Sequence, residues 1–143
     1  MLATRGWVCV SVDYRLSPHA TFPDPLVDLK HAIAWIRRHV AEYGGDAELL
    51  VATGGSAGGH LASLVALTAN DPAYQRGLEE VDTSVRACVS FYGVYDFADR
   101  HGLWRHDGLR GLLERQVMKA SLEEAPEGGM AVLRGNLAPG GAI

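Results

Sequence analysis

The stretch VATGGSAGGHLASL (residues 51–64) holds a serine with glycine two positions away on either side, Gly54-Gly55-Ser56-Ala57-Gly58. That is the G-x-S-x-G pattern of a nucleophile elbow. A serine hydroxyl reacts well only where the backbone thrusts it into the open, a base takes its proton, and N–H groups wait for the oxyanion. A sharp strand-to-helix turn meets the first need by holding the serine in a strained conformation. Side chains on the flanking residues would strike neighbouring backbone, which explains glycine at Gly54 and Gly58. Gly55 and Gly59 complete the turn. The helix that follows aims its N-terminus at the same spot and leaves the Ala57 N–H free for a developing oxyanion. The spacing is neither a Walker A motif nor G-x-G-x-x-G, so a phosphate cradle is the weaker reading.

The surrounding pattern supplies the strand and the helix. ELLVAT (residues 48–53) reads as a buried strand, and AGGHLASLVALTAN as a small-residue helix that can lie close to a sheet, ending before Pro72. Upstream, WVCVSVDY (residues 7–14) is a β-branched apolar run expected to be another buried strand. A proline-rich loop then leads to a helix with Asp24 as its expected N-cap and Pro25 in its first position. Leu26, Leu29, Ile33, Ile36, Val40 and Tyr43 form one apolar stripe along it, and Gly44-Gly45 stop it. RACVSFYG (residues 86–93) reads as a third strand. Alternating strands and helices predict a parallel α/β sheet of about three strands. Leu109, Leu112, Leu113 and Val117 suggest one more amphipathic helix, and the glycine-rich stretch 128–143 reads as a poorly packed tail.

Bulk properties agree with one globular unit. The chain has 143 residues, 48% hydrophobic and 21% charged, with a net charge of −4 and no basic run, which argues against nucleic acid as a partner. No apolar stretch reaches the length of a membrane span. Cys9 and Cys88 lie in apolar runs and are expected to be buried free thiols. With no targeting element in view, a cytoplasmic location is the default expectation.

VSVDYRLSPHATFPDPLVDLKHAIAWI, followed by VATGGSAGGHLASLVAL, resembles the hormone-sensitive-lipase-like esterases of the α/β-hydrolase superfamily. Tyr14 to Pro18 match the family's Y-R-L-[AS]-P element, Phe22-Pro23 and the helix from Asp28 to Ile36 match the next, and Gly54 to Gly59 match its elbow. FYGVYDF (residues 91–97) resembles the stretch after the following strand. The match covers residues 1–127, within which 98–125 resembles the family's cap. The resemblance implies hydrolysis of small-molecule carboxylic esters through an acyl-enzyme on Ser56, with Ala57 as an oxyanion donor and with no cofactor or metal.

The resemblance also says what to look for next. The family's acid and histidine come later in the chain, and an HGGG-type oxyanion loop comes earlier; neither set is present in this sequence. The expectation is therefore a central fragment of the fold, inactive alone. His60 is expected to pack, and Asp13 and Arg15 to make structural contacts. His101 and His106, near Asp96, Asp99 and Asp107, are the remaining candidates for a base, although solvated charges or a metal site would use the same residues. The family's sheet places one strand between the one carrying residues 7–14 and the one carrying 48–53. Its absence would leave open edges through which the chain could self-associate. Two other functions compete with hydrolysis: a non-catalytic interaction fragment that pairs through those edges, and acyl transfer from the same serine. The tail would also fit a shifted reading frame.

Overall fold

The computed structural model describes residues 2–96 and 108–119. Helix α1 spans Asp24–His39, strand β1 Val51–Gly55, helix α2 Ala57–Leu67, strand β2 Ala87–Phe91 and helix α3 Gly108–Leu112, which runs on into a wider π-type turn at Leu113–Met118. β1 and β2 pair in parallel, Val51 opposite Ala87 and Gly55 opposite Phe91, with α2 as the crossover between them. This is a βαβ unit, since parallel neighbours need a long connection and a helix supplies it. This arrangement agrees with the partial α/β-hydrolase sheet that the resemblance implies.

The core lies between α1, α2 and the inner face of β1. Leu26 and Ile33 of α1 meet Leu61, Leu64 and Val65 of α2, with Leu50 and Ala52 packed against them. The expected stripe buries Leu26, Ile33 and Val40 and half-buries Leu29 and Ile36, while Tyr43 beyond the helix is exposed. Asp24 is the first helical residue and Pro23 occupies the cap, which corrects the expected Asp24 cap. The Asp24 carboxylate instead faces Arg15 at 3.6 Å. Lys30 sits fully buried among the apolar residues of α1. Its Nζ donates to the Val65 and Thr68 carbonyls and to Thr83 Oγ1, at 3.3, 2.7 and 3.2 Å, fastening α1 to the end of α2.

The sheet has two strands among the described residues, not about three. Residues 7–14 run without helix, turn or bend but pair with nothing, and Val10 is 47% exposed. An apolar β-branched run becomes a strand only where a neighbouring edge accepts its hydrogen bonds, and here β1 does not reach it. Cys9 is for the same reason an exposed free thiol, while Cys88 is free and half-buried. On the face of the sheet away from α1 and α2, Phe91 is 55% exposed beside Val89. Parallel sheets ordinarily have both faces covered, so their strands read as continuous apolar runs; here one face is bare among the described residues. The tail at 128–143 and most of the cap-like stretch 98–125 lie outside the described residues.

Candidate active site

The C-terminal ends of β1 and β2 meet at Ser56. Its N–H donates to the Phe91 carbonyl at 3.0 Å, and its own carbonyl accepts from His60 N–H at 3.0 Å, so the residue is clamped between the end of β2 and the first turn of α2. Its backbone is held at φ 53°, ψ −120°, outside the regions that side chains favour. Such strain persists only where the surroundings over-determine it, and it gathers at working sites. The Ser56 side chain is exposed and makes no capping bond to α2. Ala57 opens α2, where an N–H has no partner inside the helix. The partial positive charge of the helix terminus lies at the same spot.

The glycines divide by role, and one expectation is corrected. A Cβ on Gly54 would lie 2.5 Å from the Gly58 carbonyl carbon and oxygen, so strand end and helix start touch backbone to backbone there. A Cβ on Gly58 would meet nothing within 4 Å, so Gly58 is not required for lack of room. The close approach falls at Gly59 instead, 2.6 Å from the Phe91 carbonyl oxygen, where α2 settles onto β2. The pattern alone does not reveal this, because α2 meets β2 one residue further along than the turn suggests. Ser90 Oγ donates to the Gly59 carbonyl at 2.7 Å and also bonds the Tyr95 hydroxyl, which secures the junction.

Tyr92 was not singled out by its sequence. It follows β2 at φ 40°, a second strained residue beside Ser56, and is 81% exposed. Its phenol lies over Gly55, where a Cβ would come within 2.9 Å of the ring. Nothing in a tyrosine before a glycine marks it as left-handed in advance.

Three histidines within the described residues, His31, His39 and His60, have ring partners elsewhere. His60 Nδ1–H donates to the Val94 carbonyl at 2.7 Å; burial holds its pKa below the ordinary value, against which that bond acts. His31 Nε2 meets the Arg76 carbonyl and His39 Nδ1 meets Glu42. Arg15 grips Asp28 through both carboxylate oxygens, with contacts of 2.7 to 3.1 Å, and this hydrogen bonding lowers the Asp28 pKa. His101, His106, Asp99 and Asp107 lie outside the described residues. Among the described residues, no three His, Cys, Asp or Glu side chains gather as a metal-holding group, and no helix is long and apolar enough to cross a membrane.

Comparison with known proteins places this geometry. The BD-FAE family matches residues 1–127. The chain belongs to the BD-FAE family. Among its relatives in Mycobacterium tuberculosis, "Probable carboxylic ester hydrolase LipM" is 54% identical over 118 residues, covering 82% of this chain and 27% of that protein. Esterase LipQ is 48% identical over 121 residues, covering 85% and 28%. A hyperthermophilic esterase from Pyrobaculum calidifontis superposes with a TM-score of 0.65 at 26% identity, over 87% of this chain and 41% of that one. A truncated carbohydrate esterase from gut microbiota shares the fold, with a TM-score of 0.64 at 22% identity. The chain therefore spans less than a third of the two mycobacterial relatives. It shares with these relatives the α/β-hydrolase fold, as its motifs suggest.

Proposed function

We propose that this polypeptide carries the nucleophile of a carboxylic ester hydrolase. Ser56 Oγ gives its proton to a base and bonds to the ester carbonyl carbon. The carbonyl oxygen, now negative, takes a hydrogen bond from Ala57 N–H. The C–O bond to the alcohol then breaks, the base returns the proton to the leaving oxygen, and water later cleaves the acyl-enzyme by the reverse proton path. The observation that carries this reading is the strained, exposed Ser56 at the joint of β1 and α2. The esterase names of its relatives support the reaction class. The base belongs, in this reading, to polypeptide beyond these 143 residues, so the chain alone turns over little or nothing.

The test of that second half compares the 143-residue chain with its Ser56→Ala variant on a short-chain nitrophenyl ester. Equal rates are expected. Turnover that depends on Ser56 would show that the chain holds its own base, and would return attention to His101 and His106.

A further inference from the structure

The turn that carries Ser56 begins with two glycines, which have no side chain to resist backbone rotation. Gly54 is nonetheless fixed, because its Cβ position abuts Gly58 of α2. Successive residues of a strand face opposite sides, so Gly55 presents the other face of the sheet. The nearest atoms there belong to the Tyr92 phenol, with Oη, Cζ and Cε2 at 2.6, 2.9 and 3.3 Å from a Cβ position on Gly55. Tyr92 is itself bracketed. The Phe91 carbonyl before it accepts from Ser56 N–H at 3.0 Å, and the Val94 carbonyl after it accepts from His60 Nδ1–H at 2.7 Å. Gly93, between them, has its Cβ position 2.8 Å from the His60 nitrogen. These anchors hold Tyr92 at φ 40°, which is costly for a bulky side chain. Nothing local offsets the cost: the residue is 81% exposed, and its hydroxyl makes no hydrogen bond among the described residues.

We infer that Tyr92 is a positioning residue for the nucleophile: its phenol, laid over Gly55, keeps the Gly55–Ser56 peptide from turning and so holds Ser56 in its strained, exposed conformation. The inference rests on the reading of Ser56 as the nucleophile. Phe91 grips Ser56 at its N–H, and the His60 N–H grips its carbonyl. Rotation about the Gly55 torsions would still let the strain at φ 53° relax and carry the hydroxyl away from the start of α2. The phenol closes off that rotation from the face opposite α2. Two strained residues joined through the Phe91 carbonyl thus over-determine one another, the condition under which such strain persists at working sites. The ring edge shares the contact with the hydroxyl, so Tyr92→Phe keeps it and Tyr92→Ala does not.

Amide exchange, and the Ser56 HN–Hα coupling that reports φ, are read by NMR on the 143-residue chain and on its Tyr92→Ala and Tyr92→Phe variants. In Tyr92→Ala the Ser56 N–H should exchange about 5- to 30-fold faster, the factor that relief of one strained residue is worth, and its coupling should move. Amides from Leu61 to Val65 of α2 should keep their protection. Tyr92→Phe should match the unmodified chain in both readings. An unchanged Ser56 overturns the inference. So does equal acceleration at Ser56 and in α2, because the ring would then support the fold and not the serine. A second arm does not need this chain to fold alone: residues 1–127 replace the matched segment of LipQ, and nitrophenyl ester hydrolysis is followed. There Tyr92→Ala should lower kcat about 5- to 30-fold at unchanged KM, with Tyr92→Phe near the parent. Hydrolysis that needs Ser56 but is indifferent to Tyr92→Ala overturns the inference alone. A chimera without Ser56-dependent hydrolysis overturns the reading of Ser56 and the inference with it.

Discussion

Two alanine substitutions four residues apart should move stability in opposite directions. At Gly54 an added Cβ would sit 2.5 Å from two backbone atoms of Gly58, about 1 Å inside ordinary contact, and neither atom can rotate away. The end of β1 and the start of α2 must then separate. Overpacking of a tight site costs about 1–3 kcal/mol, and a backbone-to-backbone clash belongs at the top of that range. At about 2–4 °C per kcal/mol for a chain near 150 residues, Gly54→Ala should lower Tm by about 6–12 °C. Gly58 has open space around its Cβ position and lies inside α2, so Gly58→Ala should raise stability by about 0.5 kcal/mol through helix propensity. Thermal unfolding followed by circular dichroism measures both. A Gly54→Ala protein as stable as wild type, or a Gly58→Ala protein as damaged as Gly54→Ala, would refute the packing argument for the turn.

Other perturbations follow from named contacts. Ser56→Gly should be more stable than Ser56→Ala by about 1 kcal/mol in urea titrations, because glycine tolerates φ 53° and alanine inherits the strain. Burial pushes the Lys30 pKa down to about 8, against the pull of Asp71 and Asp82. Between pH 8 and 10.5 the unfolded chain then binds more protons than the folded one, so stability rises with pH. Relative to Lys30→Met, wild type should gain about 3 kcal/mol across that window; a flat difference would show that the fold leaves the Lys30 pKa at its ordinary value. Asp28, its pKa lowered by the Arg15 hydrogen bonds, contributes stability that is present above the ordinary carboxylate range and lost as pH falls below it. Asp28→Asn should flatten the acid limb of the stability profile, and an unchanged limb would count against the pairing.

Much of this was legible from residue types because the physics involved is local. The Gly54 to Gly59 turn, the α1 stripe and the strand–helix–strand alternation all depend on near neighbours in sequence. What depends on distant partners was not legible. Residues 7–14 have the composition of a buried strand, yet a strand exists only as half of a pair, and its partner is not supplied by β1. The Gly59 requirement comes from β2, more than thirty residues away, and the left-handed Tyr92 lies over Gly55, equally distant in sequence. Nor does the sequence mark Lys30 as buried, because the groups that receive its ammonium, the Thr68 carbonyl and Thr83 Oγ1, lie far along the chain. The cap-like charges around His101 and His106 lie outside the described residues, so their reading rests on sequence alone.

The central claim is that Ser56 is the nucleophile and that its base comes from elsewhere in a longer polypeptide. The direct measurement replaces the matched segment of LipQ with residues 1–127 of this chain and follows nitrophenyl ester hydrolysis with and without Ser56→Ala. The account predicts an active chimera that loses at least about 10³-fold of its rate on Ser56→Ala, the scale on which removing a triad serine acts. A folded chimera that hydrolyses the ester equally well without Ser56 would contradict it.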